Sequence, residues 1–120
     1  MKKTILIADD DMTLLHVLGQ TLEKEGYRTV LARDGAEALK KVQEDHPDLI
    51  ILDIQMPRVH GYAFLFELRK IEGGQDIPIL VLTSNKDMKD IFAAEGVKEY
   101  LIKLCSPQTV LAKVKQYLQH

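Results

Sequence analysis

Four apolar runs in this chain of 120 residues each stop at a residue able to do chemistry. Residues 4–8 (TILIA) run into Asp9, Asp10 and Asp11, residues 49–52 (LIIL) stop at Asp53, residues 77–82 (IPILVL) stop at Thr83 and Ser84, and residues 100–102 (YLI) stop at Lys103. A carboxylate can accept a phosphoryl group as an acyl phosphate, and such a transfer asks mainly for positioning and for neutralisation of the charge being moved. An ammonium and a hydroxyl are suited to that second task, as are backbone amides following the acceptor. Carboxylates gathered close together repel one another, so either some are protonated or a cation sits among them. Oxygen-only ligands in a small open site suit Mg²⁺, and the backbone carbonyl of Gln55, two residues past Asp53, is a further candidate ligand.

These residues act together only if the fold gathers them. A continuous apolar run reads as a strand buried on both faces, the kind found in parallel sheets. Between the runs, apolar residues recur at helical spacing: Leu14, Leu15, Leu18 and Leu22; Ala38, Leu39 and Val42; Phe64, Leu65, Leu68 and Ile71; Met88, Ile91 and Phe92; Val110, Leu111, Val114 and Leu118. Punctuation agrees with that reading. Gly26, Gly73-Gly74 and Gly96 stand at helix stops, Pro47 ends a unit, Asp34 with Glu37 opens a helix, and Ser106-Pro107 supplies an N-cap and a first-turn proline. A strand over 28–32 (RTVLA) completes five strands alternating with five helices, an α/β pattern that implies a doubly wound parallel sheet. The common order for five strands is 2-1-3-4-5, which makes neighbours of the four strands ending in Asp9-Asp10, Asp53, Thr83 and Lys103. Met56-Pro57 and Gly61 mark a turn-prone loop after the third strand.

Composition narrows the remaining possibilities. The length fits one domain over residues 1–120 with its own core. A net charge of -2 gives no electrostatic reason to expect direct nucleic-acid binding, and one cysteine, Cys105, excludes an intramolecular disulfide. Neither a signal peptide pattern nor a membrane-length apolar span is present, so the expected location is cytoplasmic, without membrane contact.

The paired acids in ILIADD, the acceptor in LDIQMP with Gly61 after it, the Thr83-Ser84 pair and Lys103 stand in an order and spacing that resembles the receiver domain of a two-component response regulator, of the chemotaxis-type, flavodoxin-like fold. The likeness covers residues 3 to 118. It implies a phosphoacceptor signalling switch rather than a turnover enzyme, at most phosphorylating itself from small donors and dephosphorylating itself. By resemblance Asp53 receives the phosphoryl group from a sensor histidine kinase or phosphotransfer protein. Asp9 and Asp10 hold Mg²⁺ with Asp53 and the Gln55 carbonyl, Lys103 contacts the phosphoryl group, Thr83 senses it, and Tyr100 is the aromatic switch. The face formed by the fourth helix, fifth strand and fifth helix then changes and meets a downstream protein target. Two departures stand out: Leu104 follows the lysine where the family usually has proline, and the stretch from Thr83 to Tyr100 is about two residues short by comparison with the family. Without that proline a cis Lys103-Leu104 bond would cost about 3 kcal/mol, and the sequence alone leaves the isomer of this peptide open.

Plainer readings compete at single positions. Asp11 reads as a helix cap rather than a ligand, and Tyr100 as an edge aromatic if not a switch. Cys105 reads as a small apolar residue, and the four histidines, His60 beside the acceptor included, lack ligand spacing. Tyr62 and Phe66 fall off the apolar stripe of their helix. Rival functions are a constitutive receiver-fold scaffold, an aspartate-nucleophile phosphatase of the haloacid dehalogenase type and a flavodoxin-like electron carrier. The phosphatase needs a second acid where Gln55 stands, and the electron carrier needs a phosphate-binding loop where three acids stand.

Overall fold

Burial on both faces explains why the three central strands are almost wholly apolar. In a computed structural model, which describes residues 2–55 and 61–118, the elements are β1 (Thr4–Ala8), α1 (Met12–Lys24), β2 (Arg28–Ala32), α2 (Gly35–Asp45), β3 (Leu49–Leu52), α3 (Gly61–Leu68), a 3-10 turn (Gly74–Asp76), β4 (Ile79–Thr83), α4 (Lys89–Ala94), β5 (Glu99–Ile102) and α5 (Pro107–Leu118). All strand pairs are parallel and the order is β2-β1-β3-β4-β5, as the strand pattern predicts. Successive strand residues face opposite sides. Leu6, Ile50, Leu52 and Val81 pack beneath α2, α3 and α4 with Val42, Phe64 and Phe92, whereas Ile5, Ile7, Ile51 and Leu80 pack beneath α1 and α5 with Leu15, Leu18 and Val110. The sheet is thus a shared wall between two cores, and neither side of a central strand has room for a polar residue until the strand ends.

Register then aligns those ends. Ile5 lies level with Leu49 and Ile50 with Ile79, so β1, β3 and β4 finish at one edge. Backbone bonds continue the alignment past the ladder: Asp9 N donates to Ala32 O and Asp53 N to Ala8 O, both at 2.9 Å, and Lys103 N donates to Thr83 O at 2.9 Å.

Helix ends follow the local signals. Asp11 caps α1, its Oδ1 accepting from Thr13 N at 3.0 Å and Leu14 N at 3.2 Å. Asp34 caps α2 through Glu37 N at 2.8 Å, and Glu37 Oε1 accepts from Arg33 N at 2.8 Å. Ser106 Oγ accepts from Thr109 N at 3.2 Å at the start of α5. Gly26, with φ 93°, turns the chain out of α1 in the left-handed region that glycine tolerates best.

Several boundaries differ from the expectation. β4 begins at Ile79 and includes Thr83, because Pro78 has no N–H for the ladder and contributes only its carbonyl, which accepts from Ile50 N at 3.0 Å. β5 starts one residue early, at Glu99. α3 stops at Leu68, leaving Ile71 half-buried in the turn beyond. Ile91 is exposed, not inward, because α4 has six residues and the inward positions go to Met88 and Phe92, one turn apart. Met56, Pro57 and His60 lie outside the described residues.

Candidate functional site

The carboxyl edge of β1 and β3 brings two acids into the interior. Asp9 is 2% exposed and Asp53 3%, while Asp10 is exposed at the rim. Carboxylate oxygens of all three lie within 4.8 Å of one another. Lys103, carried to the same edge by β5, places its Nζ 2.9 Å from Asp53 Oδ2 and 3.0 Å from Asp9 Oδ2. No cis peptide occurs among the described residues, so Lys103-Leu104 is trans and the ammonium still reaches both acids. Leu104 itself is 95% exposed.

Electrostatics in this cleft are unbalanced. Burial pushes the Asp9 carboxyl above its ordinary range, and the Asp11 amide and Lys103 ammonium only partly oppose it, with the Asp53 charge adding to the rise. For Lys103 burial works the other way, toward the neutral amine, but its bonds to Asp53 and Asp9 outweigh it and leave the ammonium more firmly protonated than usual. The two shifts look contradictory for one ion pair. They reconcile because the Lys103 side chain keeps 23% exposure while that of Asp9 keeps 3%, so the carboxylate loses more hydration than one shared ammonium returns. One ammonium among three carboxylates leaves excess negative charge surrounded by oxygen donors, the donor chemistry that suits a hard divalent cation.

Opposite the acids stands a polar chain of contacts. Thr83 is fully buried, and its hydroxyl donates to Gln55 Oε1 at 3.4 Å, which also accepts from Ser84 Oγ at 3.0 Å. Gln55 N donates to Asp53 Oδ1 at 3.0 Å. Asn85 N donates to Thr83 Oγ1 at 3.3 Å, and the Asn85 carbonyl accepts from the Tyr100 hydroxyl. The Tyr100 ring lies 6.4 Å from that of Phe92, and burial, joined by nearby carboxylates, holds its phenol above the ordinary value.

The structure therefore brings Asp9, Asp10, Asp53 and Lys103 into one cluster and sets Gln55, Thr83 and Tyr100 along one path leading from it. Sequence reasoning named Ser84 only as the polar neighbour of Thr83 and missed the Gln55 side chain and Asn85. The available signal was register: continuing the β3–β4 pairing, in which Leu52 faces Val81, puts Gln55 level with Ser84. Cys105 is half-buried, and burial pushes its thiol up, away from the reactive thiolate.

A parallel sheet in this order with an acidic cleft and a lysine at its carboxyl edge defines a flavodoxin-like domain built to handle a charged group there. The profile of the response regulator receiver domain matches residues 5–115, and the chain belongs to that family. A probable transcriptional regulator ycf27 of Cyanophora paradoxa is 40% identical over 120 residues, 98% of this chain and 49% of that protein. The alkaline phosphatase synthesis transcriptional regulatory protein PhoP of Bacillus subtilis is 38% identical over 121 residues, 99% of this chain and 50% of its own length. The chain thus spans about half the length of these curated relatives. Chemotaxis protein CheY4 of Vibrio cholerae superposes with a TM-score of 0.90 at 32% identity, covering 98% of this chain and 100% of that one. The receiver domain of the Pseudomonas aeruginosa sensor histidine kinase PA1611, which has a magnesium ion coordinated in its active-site cleft, superposes at 0.89 with 25% identity and full coverage of both chains. Membership gives this chain a phosphoacceptor role in two-component signalling rather than that of a turnover enzyme. No helix among the described residues is long and apolar enough to cross a membrane.

Proposed function

We propose that residues 1–120 form one receiver domain in which Asp53 accepts a phosphoryl group from a sensor histidine kinase or phosphotransfer protein. The observation that carries this reading is the position of Asp53, buried at the end of β3 with Lys103 Nζ 2.9 Å away and two further acids beside it. In the transfer an Asp53 oxygen forms a bond to phosphorus as the donor's own bond to phosphorus breaks, and Lys103 turns from carboxylate partner to partner of the transferred oxygens. Asp9, Asp10, Asp53 and the Gln55 carbonyl are the groups that would hold Mg²⁺. When bound, that ion neutralises charge on the transferred group.

Output follows from the contact path. A phosphoryl oxygen draws the Thr83 hydroxyl toward Asp53, Asn85 loses its bond to Thr83, and Tyr100, tied to Asn85, is free to turn. That changes the face of α4, β5 and α5, which would meet a downstream protein. A constitutive scaffold of the same fold is the second reading, favoured by the six-residue α4, whose N-terminus lacks a side-chain cap. The phosphatase reading is weaker, since the Gln55 carboxamide carries no proton acidic enough to serve as a general acid. Hydrogen exchange across α4, β5 and α5, compared before and after loading with acetyl phosphate and Mg²⁺, separates the two main readings. The switch predicts changed exchange on that face, and identical exchange with Asp53 phosphorylated contradicts it in favour of the scaffold.

A further inference from the structure

We infer that Gln55 is a positioning residue that holds the Thr83 hydroxyl in its unphosphorylated orientation and thereby sets the threshold of the switch. This rests on the reading of Asp53 as phosphoacceptor and Thr83 as sensor. A threonine hydroxyl has one proton to donate. In this structure that proton goes to Gln55 Oε1, 3.4 Å away, so Thr83 can donate to a group on Asp53 only by leaving Gln55.

Gln55 is itself fixed at both ends. Its backbone N–H donates to Asp53 Oδ1 at 3.0 Å, and its amide oxygen accepts from Ser84 Oγ at 3.0 Å. The same residue therefore touches the acceptor and the sensor. When Thr83 departs, Oε1 keeps the Ser84 bond, so the exchange strands no buried acceptor. The direction of exchange follows from charge: a phosphoryl oxygen is an ionised acceptor and binds a hydroxyl more strongly than a neutral amide does. At 3.4 Å the Thr83–Gln55 bond is long, which suits a contact that must break in every cycle. Departure of Thr83 is felt at Asn85, whose N–H donates to Thr83 Oγ1 at 3.3 Å and whose carbonyl holds the Tyr100 hydroxyl. Gln55 thus acts on Tyr100 through Thr83 and Asn85, without touching it.

The test is amide and aromatic NMR of wild type and Gln55→Met, each recorded without a donor and with Mg²⁺ and acetyl phosphate. Gln55 is exposed, and methionine keeps an unbranched side chain while removing the acceptor, so the fold is retained. In the unphosphorylated variant the Asn85 amide and the Tyr100 ring resonances should move along the line joining their two wild-type positions, reporting a population of the active orientation raised roughly two- to fivefold, the worth of one weak neutral hydrogen bond. Their phosphorylated positions should match wild type. A merely structural effect would move them off that line. If wild type takes up the phosphoryl group and both resonances respond, yet Gln55→Met leaves their unphosphorylated positions unmoved or off the line, the latch is overturned and the acceptor reading stands. A wild type that takes up no phosphoryl group overturns the acceptor reading and the latch together.

Discussion

At the scale of single residues the cleft is a balance between burial and charge. Asp9 sits nearly out of water beside Asp53 with one ammonium shared between them, and its carboxyl is pushed above the ordinary 3.8. Between 3.8 and that raised value the folded chain binds a proton that the unfolded chain has already released, so stability falls as pH rises through the window and the full penalty is present above it. Asp9→Asn is accordingly expected to raise the unfolding free energy near neutral pH, without divalent ions, by on the order of 1 kcal/mol. Urea denaturation should find this gain shrinking in mild acid, where wild-type Asp9 is itself neutral. A gain that persists unchanged in acid would contradict the burial argument. Asp9, Asp10, Asp53, Thr83 and Lys103 were legible because each ends an apolar run, a purely local signal. The Gln55 side chain was not, because its partners Thr83 and Ser84 are reached across a sheet and depend on register.

At the scale of elements the weak point is α4. Its N-cap position is Met88, which offers no side-chain acceptor, and the helix is instead held from its other end. Arg69, just beyond α3, pairs its Nη1 with Glu95 Oε1 at 2.7 Å and donates from Nη2 to the Glu95 carbonyl at 2.5 Å. From within α3, Tyr62 donates to Glu95 Oε2 at 3.3 Å, and its ring meets Phe92 edge-on at 6.0 Å. Removing this clamp with Arg69→Ala should cost about 1 kcal/mol, since the pair is partly exposed but includes a charged bond to a backbone carbonyl. Hydrogen exchange should quicken in α4 more than in α1 or α5, and a uniform change would contradict the clamp. α3 is fixed at its start by a close approach: a Cβ on Gly61 would lie 2.6 Å from Ile54 Cα. Gly61→Ala should therefore destabilise by about 1–3 kcal/mol, as overpacking does, in a thermal melt. Strands and long helices were readable from periodicity, but six residues carry too little of it to tell which side of α4 faces in, and so Ile91 was assigned to the core.

At the scale of the whole molecule the two cores on either side of one sheet leave the carboxyl edge as the place where polar groups of four strands meet. The strand order was legible because parallel strands joined by helices admit few arrangements, and the site follows from the order. A divalent ion that binds the folded cleft alone should stabilise the whole domain by mass action. At a hundredfold excess over Kd the gain is about 2.7 kcal/mol. Mg²⁺ should therefore raise Tm for wild type and much less for Asp9→Asn, while equal shifts for both would mean that the ion binds elsewhere. The most direct test of the central claim is intact-mass measurement after incubation with acetyl phosphate and Mg²⁺. Wild type should gain a single phosphoryl group that is stable in acid, labile in base and absent without the metal, and Asp53→Asn should gain none. A variant that gains the same adduct, or a wild type that gains none, would contradict the assignment of Asp53 as the phosphoacceptor.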